Sequence, residues 1–410
     1  MAGDLVGAPD GTTTKRRRGL PVWLTIALWY IAARAITTCL FLEASALSGP
    51  KSRTGAHPSL WHYLTTWDAS WYRYTASHGY PTILPLTPDG HIAANSWAFM
   101  PVYPYLARYL GMPFHSWPVG GITISVVAGY LCALVLYRMW RMRLDASASM
   151  WAVVFFVSGP LGALFQIGYA ESLGELWLVL ILWCVMRRSY GWLYLLIPLF
   201  GFTRPGALPV ALFLGLYGIW RLIRRREERL RAGEVVHIAI LAVWATVVGF
   251  AWQVIAGLVT GDRNAYLETE LAWRHHWAPN IPDAFAPFQG FLQGVAFWCT
   301  THGVPVAAGY VTLAVLVVGA ALLLLFEPHV RRLGVELRLW TASYLLYIVA
   351  VFFPQSSIFR LLFPTAPIWG AVAAPRSRVW RVGVLVVALV GQWLWIYNMY
   401  GLGDGIWRIP

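Results

Sequence analysis

Asp68 stands in the run Thr66-Trp67-Asp68-Ala69-Ser70-Trp71-Tyr72-Arg73-Tyr74, a carboxylate set among aromatic rings. In a helix Trp67 and Trp71 share one face at i,i+4, and Asp68 and Tyr72 share the next. A carboxylate packed among rings loses hydration and becomes a stronger base, and a rim of rings suits the apolar face of a sugar. The competing reading of Asp68 is a cap on a helix lying at a membrane interface. A second cluster, Asn95-Ser96-Trp97-Ala98-Phe99-Met100-Pro101-Val102-Tyr103-Pro104, is followed by Arg108. Its two closely spaced prolines predict a fixed turn that returns the chain to the membrane.

Two further segments carry charge where charge is expensive. Tyr169-Ala170-Glu171-Ser172 falls between two apolar runs, where Glu171 would either serve an active site or cap the helix that follows. Thr203-Arg204-Pro205-Gly206 interrupts two short apolar runs. An arginine at a broken helix near a membrane surface needs an anionic partner. A lipid phosphate fits, because guanidinium binds phosphate oxygens in bidentate fashion. Snorkelling to headgroups is the alternative. Arg360, in Ser357-Ile358-Phe359-Arg360-Leu361, has the same reading, and Arg34 lies inside the first apolar run with no partner evident in the sequence.

Several familiar sites are missing. There is no G-x-x-x-x-G-K-[ST], no G-x-G-x-x-G and no H-E-x-x-H, so nucleoside triphosphate, dinucleotide and zinc-protease sites have no support. The absence of D-x-D argues against a nucleotide-sugar site with a bound metal. Glu268-Thr269-Glu270 and His275-His276 have metal-binding residue types, but they read as scattered polar loop residues, so no metal site is assigned. The four cysteines, Cys39, Cys132, Cys184 and Cys299, form no C-x-x-C pair and read as small core residues.

The elements that must position these residues follow from composition. Hydrophobic residues make up 58% of the 410 and charged ones 12%, about half the charged share of an ordinary globular chain. Such a chain cannot coat a soluble particle. The net charge of +13 does not indicate nucleic acid, because the basic residues sit in short clusters between apolar runs. Eleven runs are predicted to cross the membrane as helices: Leu20–Leu42, Val119–Tyr137, Ala148–Phe165, Ser172–Met186, Gly191–Phe202, Gly206–Trp220, Val235–Val259, Val304–Phe326, Leu339–Phe353, Leu361–Ala374 and Val382–Tyr400. Gly191–Phe202 and Leu361–Ala374 are short for full spans. The first run is read as an uncleaved anchor rather than a signal peptide, being too long for an h-region.

With residues 1–19 as a cytoplasmic basic tail, alternate loops hold 21 of the 31 lysines and arginines, as the positive-inside rule requires. The long loops, about 43–118 and 260–303, then lie outside, with Trp61, Trp67, Trp71, Trp97 and Trp117 on interfacial helices. Residues 20–410 form one transmembrane domain in this reading, and the fold class is an all-α polytopic membrane protein.

Together these segments resemble the PIG-V type of mannosyltransferase, a family with bacterial members within the GT-C class of polytopic glycosyltransferases. The likeness runs through Trp67-Asp68-Ala69 to His78-Gly79-Tyr80, Asn95 to Pro104, Tyr169 to Ser172 and Thr203 to Gly206, and the order of these segments extends it over most of the chain. Where the family often carries an asparagine, near Pro205 or Gly206, this chain has none. The resemblance implies a polyprenyl-phosphate-mannose donor as co-substrate, a catalytic Asp at Asp68 and inversion at the sugar. It also implies a GT-C-like fold with the active site extracytoplasmic, and the Ala/Arg/Trp-rich composition points to a bacterial plasma membrane. Glu171 would orient the acceptor or Arg204. Trp67, Trp71, Tyr72, His78, Asn95, Arg204 and Arg360 would bind substrate. The acceptor would be a glycolipid, glycan or protein hydroxyl, and the other partners membrane lipids. No further cofactor is implied, and dependence on a divalent metal is left open. A transporter or lipid flippase without glycosyl transfer is the alternative, marked by broken helices and the intramembrane Arg34.

Overall fold

The computed structural model describes residues 20–275, 278, 281 and 284–402. The basic run Lys15–Arg18, His276, Asp283, Asp404 and the side chain of His275 lie outside the described residues. Among those described there is no strand, only one antiparallel bridge between Leu86 and Ile92. Helices make up the rest of the regular structure.

All eleven hydrophobic segments carry helical structure. Among the described residues five helices are long and apolar enough to cross a membrane: α1 (Val22–Leu47), α5 (Trp117–Trp140), α10 (Ala232–Thr260), α13 (Val306–Phe326) and α18 (Arg378–Ile396, continued by a π-helical turn to Leu402). The other six segments lie on shorter pieces: α6 (Ala146–Val157), α7 (Glu171–Met186), α8 (Leu193–Gly201), α9 (Ala207–Ile223), α15 (Val335–Val351) and α17 (Trp369–Ala373), the last preceded by a 3₁₀ stretch over Phe363–Ile368. No residue of α13 is buried although the helix is apolar throughout. A surface of that kind has no place in water, and the chain is an integral membrane protein.

The run Ala148–Phe165 is not the single helix its hydropathy predicts. The helix stops at Val157, and Gly159-Pro160 separates it from a 3₁₀ turn at Gly162–Phe165. Proline removes one backbone donor and bars the helical conformation from the residue before it. The carbonyls freed by this break are satisfied from other helices. Arg34 of α1 donates to Gly162 O and, at 2.6 Å, to Val157 O; Gln392 of α18 donates to Gly159 O at 2.9 Å. Arg34 also lies over the rings of Tyr30 and Phe165. The partner that the sequence left unidentified for Arg34 is therefore broken backbone.

The α1–α5 connection holds α2 (Leu60–Thr65), α3 (Asp68–His78) and α4 (Val102–Gly111). It is packed, not a loose excursion. Arg108 of α4 donates to Ala76 O near the end of α3 at 2.7 Å. α4 crosses α5 so closely that a Cβ on Gly120 would collide with the backbone carbonyl of Ala107. The expected interfacial placement fails for Trp97, which is buried against Trp252 of α10 with its Nε1 donating to Pro81 O at 3.0 Å. An indole with its N–H satisfied by backbone is better placed inside than at a headgroup boundary. Trp61 stays exposed. After α10 come α11 (Ala265–His275) and α12 (Gln289–Thr301); α14 (Pro328–Arg332) and α16 (Ile358–Leu361) are short connectors.

Candidate active site

Asp68 is the first residue of α3, and Trp67 occupies the cap position with φ +56°. A tryptophan in that region of φ is strained, and such strain persists where surrounding structure enforces it. Arg53 is part of that enforcement, its guanidinium 4.2 Å from the centre of the Trp67 ring. The turn takes Trp67 off the helix, so Trp67 and Trp71 do not share a helical face as the spacing predicts. Asp68 and Tyr72 both lie within α3, one turn apart.

Asp68 is neither a helix cap nor enclosed by indoles. Its carboxylate is ion-paired with Arg360, and its side chain remains 29% exposed. Arg360 also reaches Glu171, Nε to Oε1 3.3 Å, and Glu171 is in turn paired with Arg204. The four side chains form a run of alternating charge: Asp68, Arg360, Glu171, Arg204. They come from α3, α16, the start of α7 and the α8–α9 turn. Glu171 is 2% exposed, so its carboxylate depends on both arginines.

Local structure holds each member. Arg360 lies over the ring of Tyr169, 5.3 Å from its centre. The segment after it is pinned through its carbonyls: Tyr344 donates to Leu361 O at 2.6 Å, Trp340 to Pro364 O at 2.8 Å and Trp140 to Pro367 O at 2.9 Å. The stem of Arg204 runs past α7 at Gly174, where an added Cβ would sit 3.1 Å from Arg204 Cδ. A methyl there would press on the arginine stem, which would have to shift by a few tenths of an ångström to keep its reach to Glu171. Arg204 thus finds a carboxylate rather than snorkelling to headgroups.

Tyr72 is buried on α3 against Phe99 and Tyr103, with ring centres 5.0 and 4.9 Å away. Burial pushes its phenol well above the ordinary tyrosine value; Glu171 and Asp68 add to this, and Arg204 and Arg360 oppose it. It is a neutral hydroxyl facing the charge run. Trp71 stacks on Phe99 and meets Trp273 of α11 edge to face, with centres 5.2 Å apart.

Two expected binding residues make no contact with the charge run among the hydrogen bonds and ring contacts of the described residues. His78 ends α3, exposed and stacked on Tyr74, roughly 15 Å along the helix from Asp68. Asn95 spends its side chain on scaffolding, donating to Ala93 O at 3.0 Å and Thr269 Oγ1 at 2.9 Å while accepting from Trp97 N at 3.0 Å. It fastens the first long connection to α11.

Glu175 was not singled out in the sequence, and Glu270, read there as a loop residue, lies within the helix α11. Glu175, one turn after Glu171, is buried with both oxygens lacking a hydrogen-bond partner, and it feels the charge of Arg204. With Tyr344, Phe363 and the pairs around Glu171 it lines a small cavity. The i,i+4 spacing of the two glutamates was the available signal. Glu270 of α11 lies within electrostatic reach of Asp68. Among the described residues no group of three His, Cys, Asp or Glu side chains is placed to hold a metal ion.

No family model matches the chain, and neither does any curated protein sequence. Among solved structures it is similar to the archaeal oligosaccharyltransferase AglB from Archaeoglobus fulgidus, in complex with an inhibitory peptide and a dolichol-phosphate (14% identity, TM-score 0.42, 90% of this chain and 56% of that one). It is also similar to ArnT from Cupriavidus metallidurans bound to undecaprenyl phosphate (15% identity, TM-score 0.45, 88% of this chain and 62% of that one). The chain spans little more than half the length of these proteins.

Proposed function

We propose that this protein is an inverting membrane glycosyltransferase that moves mannose from a polyprenyl-phosphate-mannose donor to a hydroxyl of a glycolipid, glycan or protein at the extracytoplasmic face. The observation that carries this reading is the alternating run Asp68–Arg360–Glu171–Arg204, which sets a partly exposed carboxylate next to two arginines in a membrane-embedded fold. Glycosyl transfer from a lipid phosphate needs that pairing. The acceptor oxygen attacks the anomeric carbon, the bond from that carbon to the phosphate oxygen breaks, and the phosphate leaves with the bonding pair. Asp68 takes the acceptor's proton. The arginines receive the negative charge that builds on the leaving phosphate.

The ion pair also suggests how the base is kept in reserve. A guanidinium has five N–H donors, and Arg360 hydrogen-bonds Asp68 through Nη1 while its Nε is ion-paired with Glu171. A phosphate arriving at Arg360 competes with Asp68 for it and releases the carboxylate toward the acceptor. Glu171, held between both arginines, keeps them aimed at one phosphate and does not itself meet the acceptor. The mannosyl donor comes from the family resemblance; the charge run supports a lipid-phosphate donor of any sugar.

Purified protein incubated with radiolabelled polyprenyl-phosphate-mannose and membrane extract tests the reading. Labelled product that is not the donor or free mannose is the expected result. Absence of transfer with that donor and with polyprenyl-phosphate donors of other hexoses would refute it.

A further inference from the structure

Glu171 opens α7, and the chain beyond the other end of that helix, roughly 22 Å away along its axis, builds a separate groove. Arg188, Tyr190 and Trp192 line it from the α7–α8 connection, and Arg231, Glu234 and His237 from the start of α10. Its volume is about 830 Å³, within the range of small-molecule sites, roughly 300–1,000 Å³. The charge in it is one-sided. Glu234 is already committed, accepting at 3.0 Å from Arg221, whose side chain is fully buried behind it. Arg231 has no carboxylate partner among the described residues. Arg188 pairs with Glu228 at 2.9 Å, but both side chains are well exposed, and a surface pair of that kind exchanges readily for another anion. Two guanidiniums thus border one open groove. Rings form its remaining wall: Tyr190 stacks on His237, and Tyr194 bonds His237 Nδ1 at 3.1 Å.

The surroundings say what kind of anion fits. On α8 Leu195 is exposed, and on α10 Val236, Ile240 and Val243 are exposed, so both helices carry bare apolar surface away from the groove. In an integral membrane protein that surface meets lipid chains. Trp192, also exposed, stands at the boundary, where an indole favours the headgroup level. A soluble anion would use the arginines and leave this surface idle, whereas a phospholipid uses both. We infer that the groove binds the phosphate headgroup of an anionic membrane lipid, Arg188 and Arg231 holding the phosphate oxygens while the acyl chains run along α8 and α10. The inference is independent of the glycosyl-transfer reading, since the groove lies at the opposite end of α7 from the charge run.

The test is a binding measurement that needs no turnover. The full chain in detergent is titrated with dihexanoyl phosphatidylglycerol or dihexanoyl phosphatidylcholine, and bound lipid is counted by native mass spectrometry, with inorganic phosphate added as competitor. One phosphatidylglycerol binds more tightly than any further copy. Phosphatidylcholine, whose own cation opposes the arginines, binds that site at least about tenfold more weakly, and inorganic phosphate at equal concentration does not displace the lipid. Arg188→Gln and Arg231→Gln each weaken the tight site about fivefold, and together roughly twenty-five-fold. Arg188→Lys with Arg231→Lys keeps both charges and loses only a few-fold, the bidentate contacts being gone. Both arginines are exposed, so the unfolding midpoint without lipid stays within a few degrees of wild type in every variant. Arg331→Gln with Arg332→Gln, an exposed basic pair on α14, leaves the tight site unchanged. Absence of a tight phosphatidylglycerol in wild type, its persistence in the Arg188→Gln, Arg231→Gln double variant, or an equal loss in the α14 variant overturns the site. Displacement by inorganic phosphate at equal concentration overturns the lipid occupant and makes the groove a site for a free anion.

Discussion

Replacing Asp68 by Asn changes one atom and removes one charge. The amide oxygen still accepts from Arg360 Nη1, so the contact survives while the ionic part is lost. Because the Asp68 side chain is 29% exposed and Arg360 12%, the stability cost lies between a surface pair, at about 0–1 kcal/mol, and a buried one, at about 3–5 kcal/mol. Arg360 keeps Glu171 as a second anion, which places the expected loss near the lower end, about 1 kcal/mol. The catalytic effect is far larger. Removing a positioned base costs about 10²–10⁴ in rate, or roughly 3–5 kcal/mol of barrier. The assay pairs thermal unfolding in detergent with initial rates of transfer from labelled polyprenyl-phosphate-mannose. A variant that folds, unfolds within a few degrees of wild type and transfers at least a hundredfold more slowly is the expected outcome. Transfer within threefold of wild type would refute Asp68 as the base, since no structural compensation restores a missing proton acceptor.

Arg204→Ala raises the KM for the lipid-phosphate donor much more than the KM for the acceptor; equal changes in both, measured by varying each substrate in turn, would remove its phosphate role. Glu171→Gln leaves Arg204 and Arg360 facing each other without their shared carboxylate and lowers stability by about 3–5 kcal/mol, read as a drop in the unfolding midpoint; an unchanged midpoint contradicts the buried pairing. Gly120→Ala drives a methyl into the Ala107 carbonyl and costs about 1–3 kcal/mol by overpacking; a stable variant would mean that α4 and α5 are not in close contact.

The helical elements were legible in hydropathy because the run length that suits a bilayer is a local property of the chain. One break was legible too: Thr203-Arg204-Pro205-Gly206 lies between the end of α8 and the start of α9. The hydropathy of Ala148–Phe165 hid its break, because an apolar average does not register one lost backbone donor. The aromatic setting of Asp68 was visible, but its consequence was misread. Helical spacing grouped Trp67 with Trp71, whereas the backbone turns at Trp67 and sends that ring to Arg53. Asn95 and His78 stand in the matching segments, and only the folded chain shows the first hydrogen-bonded to Thr269 and the second exposed at the end of α3.

Residue types and their order determined that this chain lives in a membrane, that it is helical, and that Asp68, Glu171, Arg204 and Arg360 were the charges worth following. Tertiary structure decided which of them meet. Asp68 and Arg360 are 292 residues apart, and no local periodicity encodes a contact at that distance. Their pairing depends on how α3, α7 and the proline-rich segment after α16 pack together. In so apolar an interior, a charge must end beside its opposite or beside free carbonyls, so packing and charge satisfaction are settled together.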